Sequence, residues 1–243
     1  MLIAGCSHAA GSEIDGIEDS PYNRDNSFGN RLAKLLGYEP VNIAITGSSN
    51  PCIARSILDW VHENYDSKET ELYVLIAWTE NTRMEIPSTR MFYYDIANTY
   101  ASVFSKSNNL FLRVNFGSVG FDNWEKEQTE YYQKFMANNS GYLEMLTLNL
   151  ILQIQYFLKS QNVKYLMCNT MEPVLDNIHN SSYIKKVDQK NYFNFLNSNS
   201  SFYFKYKNAG YINEKAKYWH HNEIPHKLYA EELYQFVIEN HLI

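Results

Sequence analysis

Few cysteines and the lack of any excess of basic charge set the first limits on this chain. Its 243 residues include 3 cysteines, Cys6, Cys52 and Cys168, which lie far apart without a CxxC or Cys/His cluster. A disulfide scaffold and a zinc site of the common spacings are therefore not expected, and we predict no metal. Lys+Arg number 21 against 27 Asp+Glu, for a formal net charge of −6. This balance argues against a nucleic-acid partner, since such surfaces are basic.

Long hydrophobic runs are also missing. Hydrophobic residues make up 45% of the chain, yet no uninterrupted run approaches the roughly 20 residues of a membrane-spanning helix. The chain reaches Gly5 after four apolar residues, so a basic segment followed by a long apolar one is not visible. We expect no membrane partner and a reducing, cytoplasmic setting. We also expect one domain over residues 1–243, long enough to bury about 70% of its unfolded surface.

Short apolar runs alternate with stretches of helical periodicity. The runs predict strands at residues 2–5, 41–45, 72–77 and 165–168. The periodic stretches predict helices over residues 27–36, from 51 through 61, over 142–158 and over about 225–240. This alternation predicts an α/β fold: a three-layer, open, mostly parallel sheet with helices on both faces.

Two stretches interrupt the alternation, at about residues 84–141 and 172–217. Both are rich in aromatic and polar residues, and helical periodicity in the first is predicted around 92–104 and 122–137. We interpret them as insertions after the third and fourth strands. Their tyrosines suit stacking against sugar rings, and equally the packing of a lid or an oligomer interface.

Three polar clusters follow the first three predicted strands. They are Gly5-Cys6-Ser7-His8, then Thr46-Gly47-Ser48-Ser49-Asn50, then Trp78-Thr79-Glu80-Asn81. Parallel strands bring their carboxyl ends to one edge of the sheet, where ligands bind. Ser7, at a sharp turn with backbone N–H groups beside it, is the candidate nucleophile, although a lone loop serine more often caps a helix.

Together these clusters resemble the conserved blocks of the SGNH hydrolases, the GDSL-type esterase superfamily. Gly5-Cys6-Ser7 resembles the Gly-Asp-Ser block, with Cys6 in place of Asp. The run from Asn42 to Gly47 resembles the second block, whose glycine N–H joins the oxyanion hole. The stretch from His220 to Leu233 is similar to the last block, and the resemblance implies His220 as the base.

Two departures from the family pattern leave alternatives open. The third block reads Ala77-Trp78-Thr79-Glu80, so the side-chain oxyanion donor would be the Thr79 hydroxyl, or Asn81 in a loop shifted by two residues. The position three residues before His220, where the family has an orienting Asp, is Lys217. His220 would then act in a Ser–His dyad or with another carboxylate.

A competing register makes His226 the base and Glu223 its acid, and His221 is a third candidate. All three histidines also fit a polar turn before the last helix, with Glu223 and His226 serving only its N-terminus.

The resemblance implies an SGNH-type esterase that needs no cofactor and acts on a small or carbohydrate ester, with O-acyl groups on a carbohydrate as one expected substrate. Similar proteins are encoded by tailed phages, which would make a host cytoplasm or a virion the setting. The alternative is a binding or structural protein that keeps the fold and has lost turnover. Beyond the third strand, Arg83, Glu85 and Arg90 would line a pocket or form a solvated loop. The oligomeric state is not indicated.

Overall fold

The computed structural model describes residues 1–17, 19–87, 111–114, 130, 134, 139–171, 182–211 and 213–243. In chain order, its elements are β1 (Leu2–Gly5), α1 (Ser7–Ala10), α2 (Pro21–Asn26), α3 (Phe28–Leu35), β2 (Val41–Asn42), α4 (Asn50–Asn64), β3 (Tyr73–Trp78), β4 (Met84–Pro87), β5 (Phe111–Val114), α5 (Ser140–Ser160), β6 (Lys164–Asn169), α6 (Phe202–Asn208) and α7 (Glu223–Glu239). Strands β2-β1-β3-β6 form a parallel sheet in that order, and β4 pairs with β5 antiparallel.

The sheet is the middle of three layers. Successive residues of a strand point to opposite faces, and both faces of β3 are buried. Val74 and Ile76 pack with α4 and α5 on one face, whereas Leu75 and Ala77 pack with α3 and α7 on the other. This burial on both sides explains the unbroken apolar run of β3. The predicted α/β class with helices on both faces is therefore confirmed.

Gly5 shows why the end of β1 needs a glycine. A Cβ atom at this position would lie 2.5 Å from the Ala9 Cβ and 2.9 Å from the Ala77 Cβ. No such approach is tolerated without a shift of the backbone, because both neighbours are short and rigidly placed. The absence of a side chain lets α1 turn back tightly against β1 and β3. Ser7, two residues later, is thereby held at the carboxyl edge of the sheet.

Several elements differ from the sequence-based expectations. Ser7, predicted in a turn, opens the four-residue helix α1, which is too short to produce a periodic pattern. β2 covers Val41–Asn42 rather than the predicted 41–45, although the Ile43 and Ile45 N–H groups still donate to the Ile3 and Gly5 carbonyls at 2.8 and 3.1 Å. The helices predicted around 92–104 and 122–137 lie outside the described residues, apart from positions 130 and 134.

Candidate active site

Ser7 lies where β1 passes into α1. Its side chain is 4% exposed and makes no hydrogen bond to any other described residue. The Ala10 N–H donates to the Cys6 carbonyl at 3.0 Å, which closes the first turn of α1. N–H groups in the first turn of a helix have no acceptor within that helix. The Ser7 N–H is therefore in a position to donate to an atom bound beside the serine hydroxyl.

The loop that follows β2 is fastened to the Ser7 segment. Ile45 N–H donates to the Gly5 carbonyl at 3.1 Å, and the Ser12 and Thr46 hydroxyls are 2.9 Å apart. Gly47 is exposed, and its φ of +73° is a left-handed conformation that favours glycine. These bonds tie the loop that carries Gly47 to the end of β1 and the segment after it.

Thr79 follows β3 and is held by Asn50. The Thr79 N–H donates to Asn50 Oδ1 at 2.9 Å, and Asn50 Nδ2 donates to the Thr79 carbonyl at 3.0 Å. The Thr79 hydroxyl is buried and has no hydrogen-bond partner among the described residues. A buried hydroxyl without a partner is costly, so this group is available to a ligand or a water. Asn81, the other candidate donor, is half-buried two residues further on.

Cys6, in the place of the family aspartate, joins the end of β1 to the end of β6. Its sulfur lies 3.3 Å from the Thr170 hydroxyl. That hydroxyl and the Thr170 N–H each donate to the Trp78 carbonyl at 2.8 Å. The ends of three strands are thus tied together beside Ser7.

His220 forms a buried pair with Glu13. Its Nδ1 lies 2.6 Å from Glu13 Oε2, and the two side chains are 7% and 3% exposed. Burial by itself would raise the pKa of Glu13, but the bonds from His220 and from two backbone N–H groups outweigh burial and lower that pKa. An ionised carboxylate can only accept, so Nδ1 donates, and Nε2 becomes the basic nitrogen of the neutral ring.

Glu13 is the functional residue that sequence reasoning missed. The family pattern placed an acid at position 217, and the structure instead uses the Lys217 N–H as a donor to Glu13 Oε1 at 2.8 Å. The Tyr218 N–H donates to Glu13 Oε2 at 2.9 Å. Glu13 is 207 positions from His220 in the chain, so no local spacing could have indicated the pair.

His8 connects the Ser7 segment to His220. The rings of His8 and His220 are 4.9 Å apart, in an edge-on arrangement. His8 Nε2 lies 3.1 Å from the Met171 sulfur, and a thioether can only accept, so Nε2 carries the proton. Burial, assisted by the nearby histidines and Arg83, holds the pKa of His8 well below its usual range. Ser7 Oγ and His220 make no direct hydrogen bond; such contacts are often longer before substrate binds.

The other two candidate bases have different surroundings. His226 is 1% exposed, lies between Phe28 and Phe202, and accepts from the Phe28 N–H through Nδ1 at 3.2 Å. Glu223, its expected acid, instead pairs with Arg31 and accepts from the Tyr22 hydroxyl at 2.8 Å. The structure therefore does not bring Glu223 and His226 together as an acid and a base.

His221 has carbonyl oxygens at both ring nitrogens, 2.9 Å away at Tyr211 and 3.0 Å away at Tyr203. Burial lowers the pKa of His221, and a neutral ring carries a single N–H, so the ring donates to one of these two segments after β6 and contacts the other.

The charged residues expected beyond the third strand form ion pairs. Arg83 Nε donates to Glu80 at 2.5 Å, and Arg55 Nη2 donates to Glu85 at 2.7 Å. Glu85 thus fastens the β4–β5 pair to α4, whereas the sequence left open a pocket lining or a solvated loop for this residue. Arg90 lies outside the described residues.

The described residues lack two other kinds of feature. They contain no group of three or more side chains suited to holding a metal ion. None of their helices is both long enough and apolar enough to cross a membrane.

The buried histidines give the folded protein a dependence on pH. Burial, reinforced by nearby positive charge, holds the pKa values of His8 and His226 well below their usual range. In the unfolded chain both take up a proton near pH 6.5, whereas the folded chain keeps them neutral. The free energy of unfolding is therefore expected to fall as the pH drops below about 6.5, by up to about 1.4 kcal/mol per pH unit for each histidine.

Urea denaturation at several pH values between 7.5 and 5.5 measures this loss. The His226→Asn variant keeps an acceptor for the Phe28 N–H but does not titrate, so its stability should fall less steeply. His62→Asn, at an exposed position of α4, should follow the wild type. An equal loss in all three proteins would show that His226 is not buried in its neutral form.

Comparison with solved structures finds chains of low identity. A carbohydrate esterase with divergent catalytic and non-catalytic binding functions matches over 98% of this chain and 64% of its own, with 12% identity and a TM-score of 0.49. The acetyl xylan esterase Est2A from the rumen bacterium Butyrivibrio proteoclasticus matches over 98% of this chain and 63% of its own, with 13% identity and a TM-score of 0.46. This chain therefore spans less than two thirds of the length of either protein.

A third match is the putative lipolytic protein of the G-D-S-L family from Desulfitobacterium hafniense DCB-2. The match covers 97% of this chain and 98% of that protein, with 12% identity and a TM-score of 0.44. Likenesses at this level carry no argument about the activity of this chain.

Sequence comparison, unlike the comparison of structures, identifies a family. No curated protein matches the chain significantly. A family model does match, over residues 13–243, and it describes a family of unknown function, DUF6071. Because the match spans nearly the whole sequence, this chain belongs to the DUF6071 family.

Proposed function

We propose that this protein is a serine hydrolase that cleaves an ester, with an O-acyl group on a carbohydrate as the substrate. Ser7 is the nucleophile, His220 the base, and Glu13 the acid that orients His220. The observation that carries this proposal is the buried Glu13–His220 pair, whose ring packs against His8, the residue next to Ser7. In this proposal Glu13 takes the place of the orienting acid that is missing three residues before His220.

The reaction would begin with proton transfer from the Ser7 hydroxyl to His220 Nε2. The serine oxygen then attacks the ester carbonyl, and the negative charge that develops on the carbonyl oxygen is stabilised by hydrogen-bond donors. The donors in this proposal are the N–H groups of Ser7 and Gly47 and the hydroxyl of Thr79, with Asn81 as the alternative side chain. Each is worth about 3 kcal/mol of barrier in comparable sites.

Collapse of the tetrahedral intermediate breaks the ester bond. The protonated His220 gives its proton to the departing alcohol oxygen, which leaves the acyl group on Ser7. Water then attacks the acyl-enzyme with His220 again as the base, releasing the acid and restoring the serine. Throughout, Glu13 accepts from Nδ1 and so favours the positively charged ring that forms in both steps.

The test is turnover of p-nitrophenyl acetate by the wild-type protein during titration with a fluorophosphonate, which reacts with activated serines. We expect turnover to decline in proportion to the probe added and to vanish near one equivalent per chain. A heat-denatured sample serves as the control for spontaneous reaction.

Turnover that resists the probe would contradict a serine mechanism. Complete inertness of the wild type would instead favour a binding protein that keeps the fold, an alternative consistent with the absence of a hydrogen bond from Ser7 to His220.

A further inference from the structure

Trp219 is the most exposed large hydrophobic side chain of the described residues, at 76%. It makes no ring contact or hydrogen bond with any other described residue. It also directly precedes the proposed base, His220, in the chain, and its indole is exposed to solvent. A ligand that covered the indole would recover the free energy of burying its apolar surface.

The backbone holds this side chain outward. The residues on either side of Trp219 bind the same oxygen atom: the Tyr218 N–H donates to Glu13 Oε2 at 2.9 Å, and His220 Nδ1 lies 2.6 Å from it. The chain curls around that oxygen, and Trp219 adopts a φ of +66°. This left-handed conformation is unfavourable for a bulky residue. One carboxylate thus fixes both the His220 ring and the Trp219 backbone.

The position next to the base decides which part of a substrate would meet the indole. In the proposed reaction His220 returns its proton to the departing alcohol oxygen, so the alcohol part of the ester lies on the His220 side. The acyl part lies toward the oxyanion donors. A ligand on Trp219 is therefore the alcohol portion.

The surroundings of Trp219 indicate the chemistry of that alcohol. Tyr218 is 50% exposed, and the Lys217 ammonium lies 4.9 Å from the centre of its ring. A flat apolar face flanked by a phenol and an ammonium matches a pyranose ring, whose C–H face is apolar and whose edge carries hydroxyl groups.

We propose that Trp219 is the binding site for a pyranose ring of the glycan that carries the acyl group. This inference rests on the proposed function for the orientation of the substrate, and binding itself requires no turnover. The site contributes affinity by stacking of the indole on the sugar, and it positions the ester oxygen near His220.

Binding is measured by isothermal titration calorimetry on the full chain with Ser7→Ala, using xylohexaose, cellohexaose, mannohexaose and chitohexaose as probes. We expect at least one of them to bind, and Trp219→Asn to weaken that binding about tenfold, a typical loss for one stacking contact. Asparagine tolerates the left-handed backbone, so this variant should fold. Trp219→Phe keeps an aromatic face and should retain most of the affinity.

Tyr156→Asn is the matched control, because Tyr156 is a 54% exposed aromatic on α5, which packs on the opposite face of the sheet from α7. It should bind as the parent does. Failure of all four oligosaccharides to bind, or equal binding by Trp219→Asn and its parent, would overturn the proposal. Sugar binding without p-nitrophenyl acetate turnover would support the Trp219 site and contradict the hydrolase proposal. Turnover without sugar binding would support the hydrolase proposal and contradict the Trp219 site.

Discussion

The Ser7→Ala variant is expected to lose ester hydrolysis almost completely, with kcat lower by on the order of 10⁵- to 10⁶-fold. The serine oxygen is the atom that forms the acyl-enzyme in this account, and alanine leaves no substitute for it. Burial of Ser7 at 4% exposure means that removing one oxygen changes little of the surface. The folded structure should persist, which circular dichroism would verify.

The kinetic measurement uses p-nitrophenyl acetate over a range of concentrations, compared with buffer alone. Ser160→Ala is the control, because Ser160 is an exposed residue at the end of α5, and it should match the wild type. Residual activity of Ser7→Ala within tenfold of the wild type would exclude Ser7 as the nucleophile.

Glu13→Gln is expected to lower kcat by on the order of 10³- to 10⁴-fold, the cost of losing an orienting acid in comparable triads. The physical reason is the number of donors around this side chain. Glu13 accepts from Lys217 N–H on one oxygen, and from Tyr218 N–H and His220 on the other. An amide replaces one of these acceptors with an NH₂ group that faces a donor.

If the NH₂ group faces Tyr218 and His220, His220 must accept at Nδ1. Its proton then lies on Nε2, and the ring can no longer take the proton of Ser7. If the NH₂ group faces Lys217, two donors meet and the loop that carries His220 shifts. Both outcomes reduce kcat far more than they change KM.

Steady-state kinetics would separate these two constants. Glu63→Gln, at an exposed position of α4, is the matched control and should behave as the wild type. A Glu13→Gln variant with unchanged kcat would show that the pair with His220 is only structural.

Much of the sheet was predictable from the sequence because its signals are local. The apolar run of β3 indicates burial, and the small residues after β1 indicate a close approach. The structure has a buried strand at the first position, and at the second it has α1 packed closely against β1, where a turn was predicted. The main helices were predicted to within a few residues for the same reason. α1 and α2 were not, since helices of 4 and 6 residues give too short a pattern to be read as periodic.

The candidate site was predictable only where its residues follow strands. Ser7, Gly47 and Thr79 follow β1, β2 and β3 in turn, so topology alone brings their segments to one edge. Glu13 could not be found in this way, because its contact with His220 depends on how the turn after α1 packs against the segment that ends at Tyr218. The sequence left another carboxylate open as the partner of His220, but no local pattern indicated that Glu13, from the other end of the chain, supplies that bond.

Peptide mapping by mass spectrometry, after reaction of the wild-type chain with one equivalent of a fluorophosphonate, tests the account most directly. It predicts a single adduct on the peptide that contains Ser7, at a stoichiometry near one per chain. An adduct on another serine, such as Ser48 or Ser49, or the absence of any adduct on the folded protein, would contradict it.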